Sequence, residues 1–262
     1  MEKGKRLKIN KRRKVILNLI IYLLLFSMLI YSGIKIYEWY RDKEKNKEIS
    51  EEIKDTIIVQ NDKDEYTVDF NKLKEQNNET VAWINVNNTD IKYPIVKTKD
   101  NGFYLNHSFD KSENSAGWIF GDYRNLYDGT DKNIVIYGHN RIDGSMFGSL
   151  KNILDPNWYN NEENTSINFI TEKEKSVYKV FSVYQIEDED YYIQTYFDEN
   201  NKFKDFAEKI KGRSIKDFGI DVNEEDNILT LSTCGSSNKY RIVLHAKKVK
   251  GEVKWRWAKK TW

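Results

Sequence analysis

Hydrophobic and polar positions divide the chain into three stretches with different patterns. A single apolar run occupies residues 15–34, a charged stretch follows it, and from residue 81 onwards apolar residues come in short runs separated by turn residues. The apolar run has 20 residues without a charge, which is the length that a helix needs to cross ~30 Å of hydrocarbon. The pattern therefore predicts one transmembrane helix followed by a larger domain outside the hydrocarbon layer.

A strongly basic segment, KGKRLKINKRRK, precedes the apolar run. The positively charged end of a transmembrane helix normally stays in the cytoplasm, so the residues after the apolar run are expected on the outer side of the membrane. A cleaved signal peptide is the alternative, but it would have a shorter apolar region and a small-residue cleavage site. Here the run is followed by the bulky, charged sequence KIYEWYRDKEK. We interpret residues 1–14 as a cytoplasmic tail and residues 15–36 as an uncleaved, single-pass anchor in the cell membrane.

The charged stretch after the anchor carries isoleucines at helical spacing. Ile49, Ile53 and Ile57 follow one another at four-residue intervals, which places them on one face of a helix that lies against another surface. We predict an extracytoplasmic helical linker over residues 37–67. A second, short helix is predicted over residues 69–76.

The remainder, residues 68–262, is predicted to be one mainly β domain. Its two helical patches lie at 145–154 and 201–212, and the tail KWRWAKKTW is predicted to be a final strand with Trp255 and Trp257 on one face. Short strands with few helices between them favour a closed or nearly closed β-barrel. The eight strand-like runs are residues 82–86, 91–96, 117–120, 133–138, 166–170, 176–186, 227–233 and 240–249.

Composition and charge narrow the class of protein. The 262 residues include seven Trp, 17 Tyr and 12 Phe, which is ample apolar surface for a core. A balance of +8 over residues 1–36 within a net charge of +2 leaves −6 for the rest, so bulk charge argues against a nucleic-acid partner. The sequence has no phosphate-binding glycine loop and no HExxH. We read the acidic run at 187–190 as a solvated loop rather than a calcium site, so no metal or cofactor is predicted.

Cys234 is the only cysteine and it ends the strand ILTLSTC. Alternation along that strand puts Cys234 on the more polar face with Thr230 and Ser232. This position suits a partly exposed thiol at a strand end, and a buried, inert cysteine is the alternative. A nucleophilic cysteine also needs a partner that favours the thiolate.

Three histidines are available as that partner. His139 follows the strand NIVIY and lies at a strand end, like Cys234. His107 is in a polar loop and His245 is inside a strand, so both are interpreted as surface or packed residues. Arg241 follows Cys234 by seven residues, across a connection long enough for a hairpin. It is a candidate for stabilising a developing oxyanion.

In these residues the sequence resembles the sortases, the cysteine transpeptidases of Gram-positive cell surfaces, over residues 68–250. Class B is the most similar class. The resemblance implies an eight-stranded β-barrel, with helices ahead of it and a helix inserted at about 198–212, before the cysteine-bearing strand. The stretches that carry it are ETVAWINVNNTDIKYPIV, DNGFYLN, SAGWIFGDYRN, NIVIYGHNRIDGSMFGSLKN and NILTLSTCG, in that order.

The resemblance also implies roles for residues. Cys234 would attack a sorting motif of the NPxTx or LPxTG type after its Thr, near the C-terminus of a secreted protein, and form a thioacyl intermediate. His139 would protonate the leaving amine and deprotonate the incoming amine of peptidoglycan or its precursor, and Arg241 would stabilise the oxyanion. Substrate-lining positions would be Asn101, Tyr137, Tyr192, Ile193 and Ser232.

Three other functions remain open at this point. A papain-like peptidase is disfavoured because its cysteine normally precedes its histidine, whereas here the histidine comes 95 residues earlier. A catalytically inactive surface-binding protein on the same barrel is disfavoured by the presence of His139, Cys234 and Arg241 together. A sortase that polymerises pilins would have the same motifs as one that anchors single proteins.

Overall fold

The computed structural model describes residues 11–54, 57–60, 65–187, 189–198, 200–234 and 239–249. By its contacts the chain divides into two units, residues 1–45 and residues 46–262. The predicted C-terminal strand at 254–262 lies outside the described residues.

Helix α1, Lys11–Lys54, contains the whole apolar run. In the part of the chain that the structure describes, α1 is the one helix that is long and apolar enough to cross a membrane, judged by length and composition. None of its most apolar window is buried within the protein. These properties agree with the predicted spanning helix.

Eight strands form a closed barrel, as predicted. They are preceded by β1 (Ile57–Gln60) and β2 (Glu65–Val68), which pair with each other in a separate two-stranded sheet. The barrel strands are β3 (Thr80–Val86), β4 (Lys92–Val96), β5 (Phe120–Gly121), β6 (Asn133–Gly138), β7 (Ser166–Ile170), β8 (Lys175–Glu187), β9 (Ile228–Cys234) and β10 (Tyr240–Lys248). Their order around the barrel is β10-β8-β7-β3-β4-β5-β6-β9.

Three shorter helices accompany the barrel: α2 (Phe70–Gln76), α3 (Pro156–Tyr159) and α4 (Asn200–Gly212). Helix α2 begins where the sequence predicts, because the Asp69 carboxylate accepts hydrogen bonds from the first free backbone amides of the helix. Helix α4 is the predicted insert ahead of the cysteine-bearing strand. Short 3₁₀ helices cover Phe103–Leu105, Gly148–Leu154, Glu162–Thr165 and Tyr191–Ile193.

Three predicted elements differ from the structure. Helix α1 ends at Lys54, and Ile57 pairs with Val68 in β1 rather than continuing the helix. The run of β-branched residues at 57–59 favours a strand, which explains this error. The strand predicted at 117–120 begins only at Phe120, because Gly117 has a positive φ of 60° that breaks extended backbone.

The third difference is the helical patch at 145–154. The backbone of Met146 has φ of 54°, which no regular helix accommodates. A 3₁₀ helix therefore starts only at Gly148.

Both faces of the strands near Cys234 are packed. Leu231 and Leu244 belong to the main core inside the barrel. Val243, from the alternate face, belongs to a second core together with Phe203 and Ile210 of helix α4. The insert therefore covers the outer face of this part of the barrel, and this is the face on which Thr230 and Ser232 lie.

Candidate active site

Strand pairing brings the three candidate catalytic residues to one end of the barrel. Strands β6 and β9 are parallel, with Gly138 paired to Thr233, so His139 and Cys234 leave neighbouring strands at the same edge. Strands β9 and β10 are antiparallel, and Cys234 pairs directly with Arg241. The hairpin predicted between β9 and β10 is confirmed. The side chain of Cys234 and the connecting residues 235–238 lie outside the part of the chain that the structure describes.

The imidazole of His139 is half-buried and held by a backbone carbonyl. Its Nε2 lies 2.7 Å from the carbonyl oxygen of Leu105. A carbonyl oxygen can only accept, so Nε2 carries a hydrogen and donates it. This leaves Nδ1 as the ring nitrogen that is free to exchange a proton with a reacting group.

Gly117 forms the wall behind the His139 ring. A Cβ atom at this position would lie 2.9 Å from His139 Cδ2, 2.6 Å from the Tyr104 carbonyl oxygen and 2.9 Å from that of Leu105. Real Cβ contacts essentially never come below 3.0 Å, and the φ of 60° also favours glycine. Only glycine therefore allows the ring and the Leu105 carbonyl to approach each other this closely.

Asp122 connects two of the predicted substrate-lining residues. Its Oδ2 accepts hydrogen bonds from Asn101 Nδ2 at 3.1 Å and from the Tyr137 hydroxyl at 2.8 Å. The Arg124 guanidinium adds two more bonds, from Nε to Oδ1 at 2.8 Å and from Nη2 to Oδ2 at 2.7 Å. Asn101 is held from its other side as well, since its Oδ1 accepts from the backbone N–H of Tyr123.

The electrostatics of this cluster keep Asp122 ionised and Tyr137 protonated. Burial alone would raise the pKa of Asp122, but the hydrogen bonds from Arg124 and Tyr137 outweigh burial and lower it. Burial and the neighbouring Asp122 carboxylate raise the pKa of Tyr137. At neutral pH the Tyr137 hydroxyl thus donates its hydrogen bond to an ionised carboxylate.

The remaining predicted substrate-lining residues join the same surface. Arg124 Nη2 also donates to the carbonyl oxygen of Ile193 at 2.9 Å. The hydroxyls of Tyr192 and Ser232 lie 2.9 Å apart, and Ser232 pairs with Tyr137 across β6 and β9. The structure therefore brings all five positions together, but Tyr192 and Ser232 are buried rather than exposed on the surface.

The polar face of β9 is more enclosed than alternation alone predicts. Thr230 and Ser232 are both buried, because Tyr192 and the second core cover the strand. Their polarity is satisfied by internal partners instead of solvent. Thr230 donates to Asn133 Oδ1 at 2.7 Å and lies 2.8 Å from His245 Nδ1.

The other two histidines have structural environments, as predicted. His245 is fully buried, with Nε2 2.8 Å from the Tyr184 hydroxyl. Burial lowers the pKa of His245 to about 3. The ring of His107 stacks on Phe103, with centroids 3.9 Å apart. Among the residues that the structure describes, no group of three or more His, Cys, Asp or Glu is arranged to hold a metal ion.

Sequence reasoning missed four residues of this site. Leu105 acts through its backbone carbonyl, and the positive φ of Gly117 has no sequence signature beyond glycine itself. Asp122 and Arg124 lie within the motif GDYRN, but no role was predicted for either of them. Their two-residue spacing could have indicated this pair, because it allows Nε and Nη2 of the arginine to bond both carboxylate oxygens of the aspartate.

Comparison with known proteins agrees with this fold. A model of the Sortase domain matches residues 84–249. Sortase B of Listeria monocytogenes is 34% identical over 235 residues, covering 87% of this chain and 94% of the Listeria protein.

Two solved structures extend the comparison. Sortase B of Bacillus anthracis in complex with AAEK1 has a TM-score of 0.72 at 35% identity, covering 81% of this chain and 100% of that chain. A sortase B complexed with triglycine has a TM-score of 0.66 at 33% identity, covering 70% of this chain and 86% of that chain. The chain belongs to the sortase family of cysteine transpeptidases. Within that family it is a class B sortase.

Proposed function

We propose that this chain is a membrane-anchored sortase that cleaves a C-terminal sorting motif after Thr and transfers the secreted protein to a cell-wall amine. The observation that carries the proposal is the meeting of His139, Cys234 and Arg241 at one barrel edge, through the pairings of β6 with β9 and of β9 with β10. Three separate parts of the sequence thus supply an acid–base group, a nucleophile and a cation at one place.

The reaction proceeds by two acyl transfers. The Cys234 thiolate attacks the carbonyl carbon of the motif's Thr, and Arg241 stabilises the resulting oxyanion. The C–N bond breaks as His139, protonated at both ring nitrogens, gives the Nδ1 proton to the leaving amine. An acceptor amine then transfers a proton to Nδ1 and attacks the thioacyl carbon, which releases the thiolate and forms the new amide.

The surface formed by Asn101, Tyr137 and Ile193 would bind the motif, of the NPxTx or LPxTG type, with the buried Tyr192 and Ser232 behind it. Its connection through Asp122 and Arg124 supports this assignment, because pre-organised groups lose less entropy when a peptide binds. The exposed side chain of Tyr123 lies next to this surface and is available to an extended peptide.

A solved relative supports the proposed acceptor, and the N-terminal part of this chain supports the proposed location. That a similar sortase B was crystallised with triglycine supports an amine of a peptidoglycan precursor or cross-bridge as acceptor. Residues 15–36 would be the anchor, with residues 1–14 in the cytoplasm and the linker 37–67 and catalytic domain 68–262 on the outer surface. The basic segment before the apolar run supports this orientation.

The decisive test uses the full chain in lipid nanodiscs. Wild type and Cys234→Ala are incubated with fluorescence-quenched peptides carrying NPxTx and LPxTG cores, with and without triglycine. We expect cleavage and a thioacyl adduct in intact-mass spectra for wild type alone, and triglycine should shift the product from acid to amide. Cleavage by Cys234→Ala, or a folded wild type without an adduct on any core, would refute the proposal.

The two partner residues have separate tests. We expect His139→Ala and Arg241→Ala each to lower turnover of the cleaved peptide by roughly 10²–10⁴-fold, the usual contributions of acid–base and oxyanion groups. Arg241→Lys, which keeps the charge but loses the planar fork, should recover only part of the loss. Near-normal turnover of Arg241→Ala would remove Arg241 from the mechanism.

A further inference from the structure

Asn46 is a buried polar residue on helix α1 that takes no part in the proposed reaction steps. Its side-chain amide makes three hydrogen bonds to one distant segment. Nδ2 donates to the carbonyl oxygen of Gly117 at 3.0 Å, and Oδ1 accepts from Ser108 Oγ at 2.6 Å and from Asn114 Nδ2 at 3.1 Å. Asn46 itself is only 3% exposed.

All three partners belong to residues 103–118, which we call the histidine-seat loop. This loop doubles back on itself. The backbone N–H of Asn114 donates to the Asn106 carbonyl, and that of Trp118 donates to the Tyr104 carbonyl, both at 2.9 Å. Asn46 therefore joins the far end of the loop, at Ser108, to its returning arm.

The returning arm is the part that touches His139. Gly117 packs against the ring of His139 and against the Leu105 carbonyl that accepts from Nε2. The Asn46 amide grips the Gly117 carbonyl directly. A shift of Gly117 would therefore change the space in which the His139 ring and its acceptor meet.

We propose that Asn46 is a positioning residue for His139, acting through Gly117 and Leu105. The proposal rests on the proposed function, because it takes His139 as the acid–base group. The amide is suited to this task since it donates and accepts at once, whereas an apolar side chain would remove all three of these hydrogen bonds. The three side-chain hydrogen bonds of Asn46 go neither to the substrate surface nor to the cysteine-bearing strand.

The same helix offers a control for general loosening. Ile53 is buried in the main core and Ile49 packs against that core. These side chains dock the end of α1 by apolar contact, without a hydrogen bond to the histidine-seat loop. Loss of Ile53 packing weakens docking, whereas loss of the Asn46 amide removes the grip on Gly117.

The test compares Asn46→Ala, Ile53→Ala and the exposed-surface variant Glu52→Ala in the full chain in nanodiscs. We expect Asn46→Ala to lower kcat by about 10- to 100-fold, as small misplacements of catalytic groups do, with KM changed less than about twofold. Ile53→Ala should lower Tm yet keep kcat when measured well below its Tm. Glu52→Ala should match wild type.

A spectroscopic readout is independent of turnover. In ¹⁵N spectra of histidine-labelled protein, assigned with His139→Gln, the His139 signals of wild type should indicate a hydrogen fixed on Nε2. Asn46→Ala should move them towards an average of the two tautomers. This readout separates the two proposals, because it holds even if wild type cleaves no peptide.

Asn46→Asp keeps the test usable if Asn46→Ala does not fold. The carboxylate still accepts from Ser108 and Asn114 but cannot donate to Gly117, so kcat and the ¹⁵N signals should change as for Asn46→Ala. A folded Asn46 variant with wild-type kcat and an unchanged His139 spectrum would overturn the proposal. An equal loss of kcat in Ile53→Ala, at matched distance from Tm, would also overturn it.

Discussion

Five donor groups converge on the two carboxylate oxygens of Asp122, a side chain with no exposed surface. They are Asn101 Nδ2, the Tyr137 hydroxyl, two guanidinium nitrogens of Arg124 and the Arg124 backbone N–H. A buried charge is tolerated only where hydrogen bonds replace its hydration. At the scale of one residue, the hydrogen bonds that stabilise the buried charge of Asp122 also fix Asn101 and Tyr137 of the proposed peptide-binding surface.

Asp122→Asn tests this role. The amide has one acceptor oxygen, and its NH₂ group would face donors, so Asn101 and Tyr137 lose their common anchor. Hydrogen bonds to charged groups contribute ~1.5–3 kcal/mol, so we expect kcat/KM for the cleaved peptide to fall about 10- to 100-fold, mainly through KM. Asp128→Asn, in an exposed turn where Thr130 donates to the carboxylate, is the matched control. Equal effects of both changes would argue against the assignment.

At the scale of one element, the histidine-seat loop fixes the position of the His139 ring. Its backbone, rather than its side chains, holds His139, through the Leu105 carbonyl and the absent Cβ of Gly117. The pairing of Asn106 with Asn114 and of Tyr104 with Trp118 keeps these two groups in register. A loop with few regular elements is thus rigid where the proposed chemistry needs it.

Gly117→Ala and Gly219→Ala form a matched pair for this loop. Both glycines have a positive φ, 60° and 67°, but a Cβ at Gly219 meets nothing within 4 Å. Both variants should lose ~1–2 kcal/mol of unfolding free energy from the left-handed backbone. Gly117→Ala adds the contacts with His139 and two carbonyls, so only this variant should also lose at least about tenfold in kcat. Normal turnover in folded Gly117→Ala would show that the close approach is dispensable.

At the scale of the whole molecule, polar side chains on the outer face of the barrel are buried beneath the second core and helix α4. Thr230 donates to Asn133, so it must accept from His245 Nδ1–H, which leaves Nε2 to accept from the Tyr184 hydroxyl. All bonding capacity of the ring is used in its neutral form. The second core beneath helix α4 therefore depends on His245 staying uncharged.

This dependence predicts a pH effect on stability. The pKa of His245 is about 3 in the folded protein, against 6.5 for an ordinary histidine. Between these values only the unfolded chain binds the proton, so stability falls as pH drops below about 6.5, by roughly 1.4 kcal/mol per pH unit. Thermal or denaturant unfolding of His245→Gln should lack this component, and its stability should converge on that of wild type as pH falls.

His107→Gln provides the comparison for that measurement. His107 lies in the histidine-seat loop and is only half-buried, so this variant controls for the replacement of a histidine by glutamine as such. Parallel stability curves for wild type and His245→Gln between about pH 4 and pH 7 would contradict the assigned neutral state.

How far the sequence could predict the molecule depends on the range of the interactions involved. Short apolar runs separated by turn residues predicted the eight barrel strands within a few residues, because both signals are local in the sequence. The apolar run predicted the spanning helix because its length and lack of charge are also local features of the sequence. Ile57 was wrongly predicted to lie in the helical linker, because four-residue spacing cannot show that the chain there pairs with Val68 as a strand.

By itself the sequence determined the strand pattern, the one candidate thiol and the histidine and arginine that end or begin neighbouring strands. Only the tertiary structure decided that β6 lies parallel to β9, which joins His139 to Cys234 across 95 residues. It alone also decided that Asn101 and Tyr137 of the proposed peptide-binding surface both bond Asp122, and that Asn46 bonds the loop behind His139. These contacts could not be read from the sequence, because hydrogen bonds between distant segments have no period along the chain.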